Sequence, residues 1–196
     1  IMNLKSIILA SASPRRKQLL TQIGFDFSVV PSTIKEDFSL HLPPEAFTEH
    51  WAREKAKNVA EKNPDSLIIG ADTVVVLNGK ILGKPNNEKD SVLMLRSLSG
   101  TTHEVITGVS LIVLESEIDI TFNERTFVSF NTLSNEDILN YINKYNPYDK
   151  AGSYGIQDGF SVHIHKVQGC YYNVMGLPLA SFYTHYRALL HTMDSA

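Results

Sequence analysis

The sequence predicts an α/β protein with a mixed, twisted β-sheet flanked by helices. In the first half of the chain, strand-like segments alternate with helix-like ones, a pattern typical of parallel strands joined by helices. From Thr102 to Leu133, β-branched and aromatic residues dominate, and they predict several mostly antiparallel strands. No linker-like composition divides the chain. We therefore expect a single domain over residues 1–196, with two lobes around a cleft.

The first strand and helix are predicted by short-range signals. The apolar run from Ser6 to Ala10 predicts a buried strand that leads directly into a helix. Ser13 suits the N-cap of that helix, Pro14 its first position and Gly24 its exit. We therefore expect a strand end and a helix start to meet near residue 13.

The other elements follow from the same kinds of signal. Apolar runs predict strands at residues 25–30 and 67–77, and helical patterns predict helices at residues 44–62, 88–98, 135–143 and 179–190. Asn78-Gly79 directly follows the second of these strands and predicts a type I′ hairpin turn. The glycine-rich stretch AGSYGIQDG, residues 151–159, is expected to be a loop.

Composition and charge exclude several classes of protein. The single cysteine, Cys170, cannot form an internal disulfide, so we expect a reducing, cytoplasmic location. No segment approaches the ~20 consecutive apolar residues of a membrane helix, and we expect no signal peptide and no membrane partner. The net charge of −3 argues against a broad nucleic-acid-binding surface, although a local basic cluster can still hold a small anion.

The segment LASASPRR at residues 9–16 is a candidate anion site. A helix start presents unbonded backbone N–H groups and the positive end of the helix dipole. The hydroxyls of Ser11 and Ser13 add donors, and Arg15 and Arg16 add positive charge. Both arginines oppose the dipole, a conflict that a bound phosphate would remove. A simple Ser13 cap with two solvated arginines stays open as the alternative from this segment alone.

Asp72 interrupts the most apolar predicted strand, LIIGADTVVVL at residues 67–77. An unpaired buried carboxylate costs several kcal/mol, so Asp72 should be paired, bound to a metal or exposed at the strand end. The alternative is a bulge at Gly70 that turns Asp72 out of the strand. We favour a functional carboxylate.

Three further charged residues are candidates for the same site. Lys55 falls on the apolar stripe of its helix, although a lysine there commonly extends its ammonium group to water. Lys84 follows the predicted hairpin and returns towards Asp72 if the hairpin folds back. Glu36 is a candidate second carboxylate for a divalent ion, although acidic residues in loops are usually only solvated.

Gln157 lies in the glycine-rich stretch, and its amide offers both a donor and an acceptor, as the reading of a base edge requires. A plain turn without a ligand is the alternative. Motifs of other nucleotide-binding, metal-binding and hydrolytic sites are missing from the sequence: GxxxxGK[ST], GxGxxG after a strand, HExxH, CxxC and GxSxG.

Taken together, these segments resemble the Maf family from end to end. The matching pieces are LASASPRR at 9–16, AREKA at 52–56, IGADTVVVLNGKILGKP at 69–85, MLRSLSGTTHEVITGV at 94–109, DKAGSYGIQ at 149–157 and VMGLPL at 174–179. Each piece is modest alone, but their order and spacing cover nearly the whole chain and are highly specific.

The resemblance implies a fold related to the inosine-triphosphate pyrophosphatases. It also implies an enzyme that hydrolyses a nucleoside triphosphate to the monophosphate and pyrophosphate with Mg²⁺ or Mn²⁺. Asp72 matches the family's proposed general base, and Asp72 with Glu36 would hold the cation. Lys35 stands beside Glu36 where relatives often carry an acidic pair. The predicted phosphate contacts are Ser11, Ser13, Arg15, Arg16, Lys55 and Lys84.

The expected substrate class rests on three positions that separate branches of the family. Arg15, Thr73 and Gln157 look like the branch that acts on dTTP and UTP rather than on 7-methyl-GTP. Canonical and modified pyrimidine nucleotides would present similar edges to these side chains, and the activity would remove excess or non-canonical nucleotides. The resemblance also suggests a homodimer. The competing hypothesis is a nucleotide sensor that regulates septum formation through a protein partner, without turnover.

Overall fold

The structure is a computed structural model that describes residues 5–194. The described strands are β1 Ile7–Leu9, β2 Ser28–Val29, β3 Leu67–Leu77, β4 Lys80–Leu82, β5 Thr102–Val113, β6 Ile118–Phe130 and β7 Ile164–Gln168. The described α-helices are α1 Pro14–Gln22, α2 Pro44–Ala60, α3 Glu88–Leu98, α4 Asn135–Tyr145, α5 Tyr171–Met175 and α6 Leu179–Asp194. Short 3₁₀ helices occupy Pro147–Asp149, Ala151–Ser153 and Gly159–His163.

The described strands form one mixed seven-stranded sheet in the order β2-β1-β3-β5-β6-β7, with β4 paired to β3. β1 runs parallel to both β2 and β3, and the β1–β2 and β1–β3 connections contain helices α1 and α2, as parallel connections require. β4 is antiparallel to β3, and β7 is antiparallel to β6. The predicted α/β class with a mixed sheet is confirmed.

The chain divides into two compact units, in agreement with the two lobes predicted. Unit 1 comprises Ile1–Asp72, Thr107–Glu124 and Gly176–Ala196, and unit 2 comprises Thr73–Ile106 and Arg125–Met175. Three of the four divisions fall inside β3, β5 and β6, so each of these long strands contributes one part to each unit, and the fourth follows α5. Asp72 is therefore the last residue of its segment in unit 1, and Thr73 begins unit 2.

The core of unit 1 forms where α2 packs against β1 and β3. Buried residues of this cluster are Ile8, Ala10, Ala56, Val59, Ala60, Ile68 and Ile112. Gly70 permits the close approach, because a Cβ atom there would lie only 2.2 Å from the carbonyl oxygen of Ala52. The alternative of a bulge at Gly70 is wrong, since β3 is continuous from Leu67 to Leu77. This packing brings the middle of α2 to the segment of β3 that carries Asp72.

The core of unit 2 is rich in aromatic side chains. The rings of His103, Phe130, Tyr154, Phe160 and Tyr141 pack in successive contacts with centroid separations between 4.7 and 5.4 Å. These rings come from β5, β6, α4, the glycine-rich segment and the 3₁₀ helix Gly159–His163. The cluster therefore joins the sheet to the loop that carries Gln157.

Several boundaries differ from the sequence predictions. The strand predicted at residues 25–30 is reduced to Ser28–Val29 and is exposed, because it lies at the sheet edge. The stretch from Thr102 to Leu133 holds two long strands rather than several short ones. The final helix continues to Asp194. The type I′ turn is confirmed by the positive φ angles of Asn78 (50°) and Gly79 (76°).

Among residues 5–194, no helix combines the length and the apolar character needed to cross a membrane.

Candidate functional site

The junction of β1 and α1 forms the helix start predicted from LASASPRR. The Ser13 side chain caps α1 by accepting a hydrogen bond from the backbone N–H of Arg16 at 3.4 Å, and Pro14 is the first helical residue. The Ser11 hydroxyl oxygen accepts a bond from the backbone N–H of Ser13 at 3.2 Å. Both hydroxyls therefore hold the turn that orients the first N–H groups of α1, which is the arrangement an anion site needs.

Arg16 is drawn back into unit 1 rather than extended into solvent. Its Nε donates to the carbonyl oxygen of Gly176 at 2.8 Å, and its Nη1 donates to the Ser11 hydroxyl at 3.1 Å. The pKa of Arg16 is lowered from 12.5 to about 10, chiefly by burial; the charge of Asp72 opposes this shift, that of Arg15 adds to it, and that of Glu36 opposes it. The guanidinium is thus a positioned cation beside two carboxylates, and the solvated-arginine alternative is wrong for Arg16.

Asp72 is 6% exposed and lies inside β3, where the sequence predicted a carboxylate in need of a partner. That partner is Lys55, whose Nζ lies 2.7 Å from Oδ1 of Asp72. The same ammonium group also donates to Oε1 of Glu36. The Lys55 side chain is 12% exposed, so it does not extend to open water as lysines on an apolar stripe commonly do.

The loop that carries Glu36 is fastened by a residue that the sequence did not single out. Oδ1 of Asn58 accepts hydrogen bonds from the Ser32 hydroxyl at 3.1 Å, the Thr33 backbone N–H at 3.0 Å and the Thr33 hydroxyl at 3.2 Å. Asn58 follows Lys55 by three residues on α2, so both side chains project from the same face. That spacing is the one signal in the sequence that could have pointed to it.

The carboxylates of Glu36 and Asp72 converge on one cationic nitrogen, that of Lys55. Two carboxylate oxygens are the donors that Mg²⁺ and Mn²⁺ take from proteins, with water and substrate oxygens as the other ligands. Among the described residues no group of three or more His, Cys, Asp or Glu is arranged around a common point. Asp72 and Glu36 therefore offer two carboxylate groups with the donor chemistry of such a site.

Arg15 is half-buried in the first turn of α1, and the other remaining predicted site residues belong to unit 2. Thr73 directly follows Asp72 in β3 and is half-buried, whereas Lys84 and Gln157 are exposed. The backbone N–H of Gly152 donates to the carbonyl oxygen of Gly83 at 3.0 Å, so the glycine-rich segment begins beside the residue that precedes Lys84. The structure thus groups Lys84 with the start of the segment that carries Gln157.

The chain is similar to known proteins in sequence and in fold. A family model described as Maf-like protein matches residues 6–189. A dTTP/UTP pyrophosphatase of Bacillus cereus is 47% identical over 178 residues, which cover 91% of this chain and 87% of that protein. A dTTP/UTP pyrophosphatase of Carboxydothermus hydrogenoformans is 46% identical over 182 residues, which cover 92% and 97%. A nucleoside-triphosphatase / dITP/XTP pyrophosphatase from Mycobacterium abscessus aligns in structure with a TM-score of 0.47 at 12% identity, over 95% of this chain and 97% of that one.

Proposed function

The chain belongs to the Maf family, and on that premise we propose that it hydrolyses nucleoside triphosphates, with dTTP and UTP preferred, to the monophosphate and pyrophosphate. The observation that carries this proposal is the contact of Asp72 with Lys55, which also holds Glu36, beside the Arg16 guanidinium. A buried carboxylate with cations around it is what the attack of water on a polyanion requires. The names of the relatives support the choice of substrate.

Asp72 acts as the general base in this proposal. Its carboxylate orients the attacking water and takes a proton from it as the water approaches the α-phosphorus. Lys55 fixes the direction of the carboxylate through the bond to Oδ1. General-base assistance typically contributes about 10²–10⁴-fold to the rate.

The phosphates are bound by groups at the start of α1 and by lysines. The backbone N–H groups of α1, with Ser11 and Ser13, donate hydrogen bonds to phosphate oxygens. The charge that develops on these oxygens is neutralised by four cations: Arg15, Arg16, Lys55 and Lys84. Transition-state charge is stabilised best by groups held in place beforehand, and the two bonds of the Arg16 guanidinium hold it in this way.

Glu36 and Asp72 would hold a divalent cation, Mg²⁺ or Mn²⁺, which when bound neutralises phosphate charge and makes the attacking water more acidic. Removal of divalent ions by a chelator should abolish pyrophosphate release, and addition of Mg²⁺ or Mn²⁺ in excess should restore it. Full turnover in the presence of the chelator would contradict this part of the proposal.

Base selection is assigned to Thr73 and Gln157, which can pair with the carbonyl and N–H groups of uracil and thymine. The wrong base would leave a polar group unpaired, at a cost of about 1–3 kcal/mol. A panel of dTTP, UTP, CTP and 7-methyl-GTP with identification of the products tests the function. We expect pyrophosphate and monophosphate in equal amounts, with dTTP and UTP preferred. Binding without turnover would instead identify a nucleotide sensor.

The single cysteine, which cannot form an internal disulfide, supports the proposed cytoplasmic location. The resemblance to the Maf family supports the proposed homodimer.

A further inference from the structure

The turn that carries Gln157 exposes this residue more than the others. The backbone N–H of Asp158 bonds to the carbonyl oxygen of Gly155 at 3.4 Å, which closes a turn with Ile156 and Gln157 at its centre. Ile156 is 4% exposed and Gly155 is buried, whereas Gln157 is exposed. The turn therefore presents the Gln157 side chain to solvent while the two residues before it are buried.

One side chain from outside the turn bonds to both of its ends. The Tyr141 hydroxyl oxygen of α4 accepts a hydrogen bond from the backbone N–H of Gly155 at 3.0 Å. The same hydroxyl donates to Oδ2 of Asp158 at 3.0 Å. Burial, and next the negative charge of Asp158, raises the pKa of Tyr141, so the hydroxyl keeps the proton that it donates. Since Gly155 and Asp158 are the first and last residues of the turn, Tyr141 fixes its width.

The segment that leads into the turn is held as tightly. Ser153 is fully buried and adopts a positive φ of 65°, a conformation that costs free energy in a residue with a side chain. Its hydroxyl is hydrogen-bonded to that of Ser91 on α3. The Tyr154 hydroxyl bonds to Nε2 of His103 on β5 at 2.8 Å. A strained backbone held by two buried side-chain bonds is typical of a segment whose position serves a function.

From these contacts we infer that Tyr141 is a specificity-determining positioning residue, which sets the place of Gln157 against the pyrimidine base without touching the substrate. The inference rests on the proposed function. The four contacts at Ser153, Tyr154, Gly155 and Asp158 hold the backbone on both sides of Gln157. Loss of the Tyr141 hydroxyl lets the turn widen, and the amide then meets the base edge in a poorer geometry.

The test is Tyr141→Phe, assayed with UTP and CTP. One net hydrogen bond corresponds to about fivefold in an equilibrium constant, so the ratio of kcat/KM for UTP over CTP should fall about five- to tenfold. The loss should appear as a raised KM for UTP, with kcat at saturation changed by less than about twofold, because the residues that act on the phosphates are untouched. Tyr145→Phe is the matched control. Tyr145 lies one turn after Tyr141 on α4, and its hydroxyl contacts Gly159. Loss of this hydroxyl should leave the UTP-to-CTP ratio unchanged.

A double-mutant cycle separates positioning from a loss of general stability. If Tyr141 acts through the amide, Tyr141→Phe added to Gln157→Ala should lower the UTP-to-CTP ratio no further than Gln157→Ala alone. Additive losses, or an unchanged ratio in Tyr141→Phe, would overturn the inference. Should Tyr141→Phe fail to fold, Asp158→Asn weakens the same closure while Oδ1 can still accept from the Phe160 backbone N–H, and it should show the same raised KM.

Different results would overturn the role of Tyr141 and the proposed function. If the wild-type protein releases no pyrophosphate from any nucleotide, the proposed function fails and the inference fails with it. If the wild type prefers UTP and Tyr141→Phe keeps both the preference and the KM, only the inference fails.

Discussion

Lys55 is the common partner of the two candidate metal ligands, Asp72 and Glu36. Its ammonium group lies 2.7 Å from Oδ1 of Asp72 and also bonds to Glu36, with both Lys55 and Asp72 shielded from water. Removal of one member of such a group leaves an opposite charge buried without compensation, and this costs more than the intact pair contributes. Replacement of a single member of this group should therefore lower the unfolding free energy of the protein.

The variant Lys55→Met should show this penalty. Loss of a buried ion-pair partner costs about 3–5 kcal/mol, and the partial exposure of Glu36 reduces the expected loss of unfolding free energy to about 2–3 kcal/mol. Urea denaturation measures it. Asp72→Asn added to Lys55→Met should recover part of the loss, because it removes the charge left unpaired. A double variant less stable than Lys55→Met alone would show that the pair does not dominate the penalty.

At the scale of elements, helix α2 supports the site at two levels. Ala52 and Ala56 let α2 approach Gly70 of β3, and Lys55 thereby reaches Asp72. One turn later, Asn58 holds the loop that carries Glu36. The helix thus sets the position of Asp72 by packing against β3, and that of Glu36 by hydrogen bonds to its loop.

The variant Asn58→Ala should weaken divalent-ion binding without removing a carboxylate. Groups that orient metal ligands typically contribute about 10–100-fold to metal affinity, so the Mn²⁺ concentration for half-saturation should rise by about tenfold or more. Isothermal titration of the protein with Mn²⁺ alone measures this without reference to turnover. Asn63→Ala is the matched control, since the Asn63 side chain donates to the Val59 carbonyl oxygen at the end of α2 rather than to the loop that carries Glu36. Equal Mn²⁺ affinity in the two variants would contradict the role of Asn58.

Sequence signals predicted the elements well where the chain itself encodes a local geometry. The Ser13 cap, the Asn78-Gly79 turn and the β3 strand all appear as predicted, because each depends on residues close in sequence. The strand predicted at residues 25–30 was too long, since pairing at the sheet edge limits β2 to Ser28–Val29. The site was predicted as a set of residues, but not the bonds among them.

The missed contacts are those made between distant parts of the chain. Asn58 and Tyr141 look like ordinary helical residues, and their roles depend on loops at residues 32–34 and 155–158. The sequence likewise gave no reason to expect that Lys55 would bond both carboxylates rather than remain solvated. Such long-range bonds follow from how the helices dock on the sheet, which local periodicity does not encode.

At the scale of the whole molecule, one buried histidine makes stability depend on pH. Burial lowers the pKa of His103 from 6.5 to about 4, and Nδ1 is buried without a hydrogen-bond partner. The folded protein therefore resists protonation at this ring while the unfolded chain accepts it. Stability from this group is full above pH 6.5 and is lost as the pH falls from 6.5 towards 4.

The expected loss follows from the difference between the two pKa values. Each pKa unit corresponds to about 1.4 kcal/mol, so acidification to pH 4 should lower the unfolding free energy by about 3 kcal/mol through His103. Urea denaturation between pH 7 and pH 4 measures the total change. Since glutamine does not titrate in this range, the unfolding free energy of His103→Gln should fall by about 3 kcal/mol less than that of the wild type. Parallel curves for the two proteins would contradict the assignment.

The turnover of Asp72→Asn with UTP shows whether Asp72 is the base in pyrophosphate release, as we propose. The substitution keeps the size of the side chain and removes the basic oxygen, so kcat should fall by at least about 10²–10⁴-fold. Asp119→Asn, which weakens the partly exposed pair with Arg53, is the control and should retain wild-type turnover. Asp72→Asn with near wild-type kcat, in a protein that remains folded, would contradict the account.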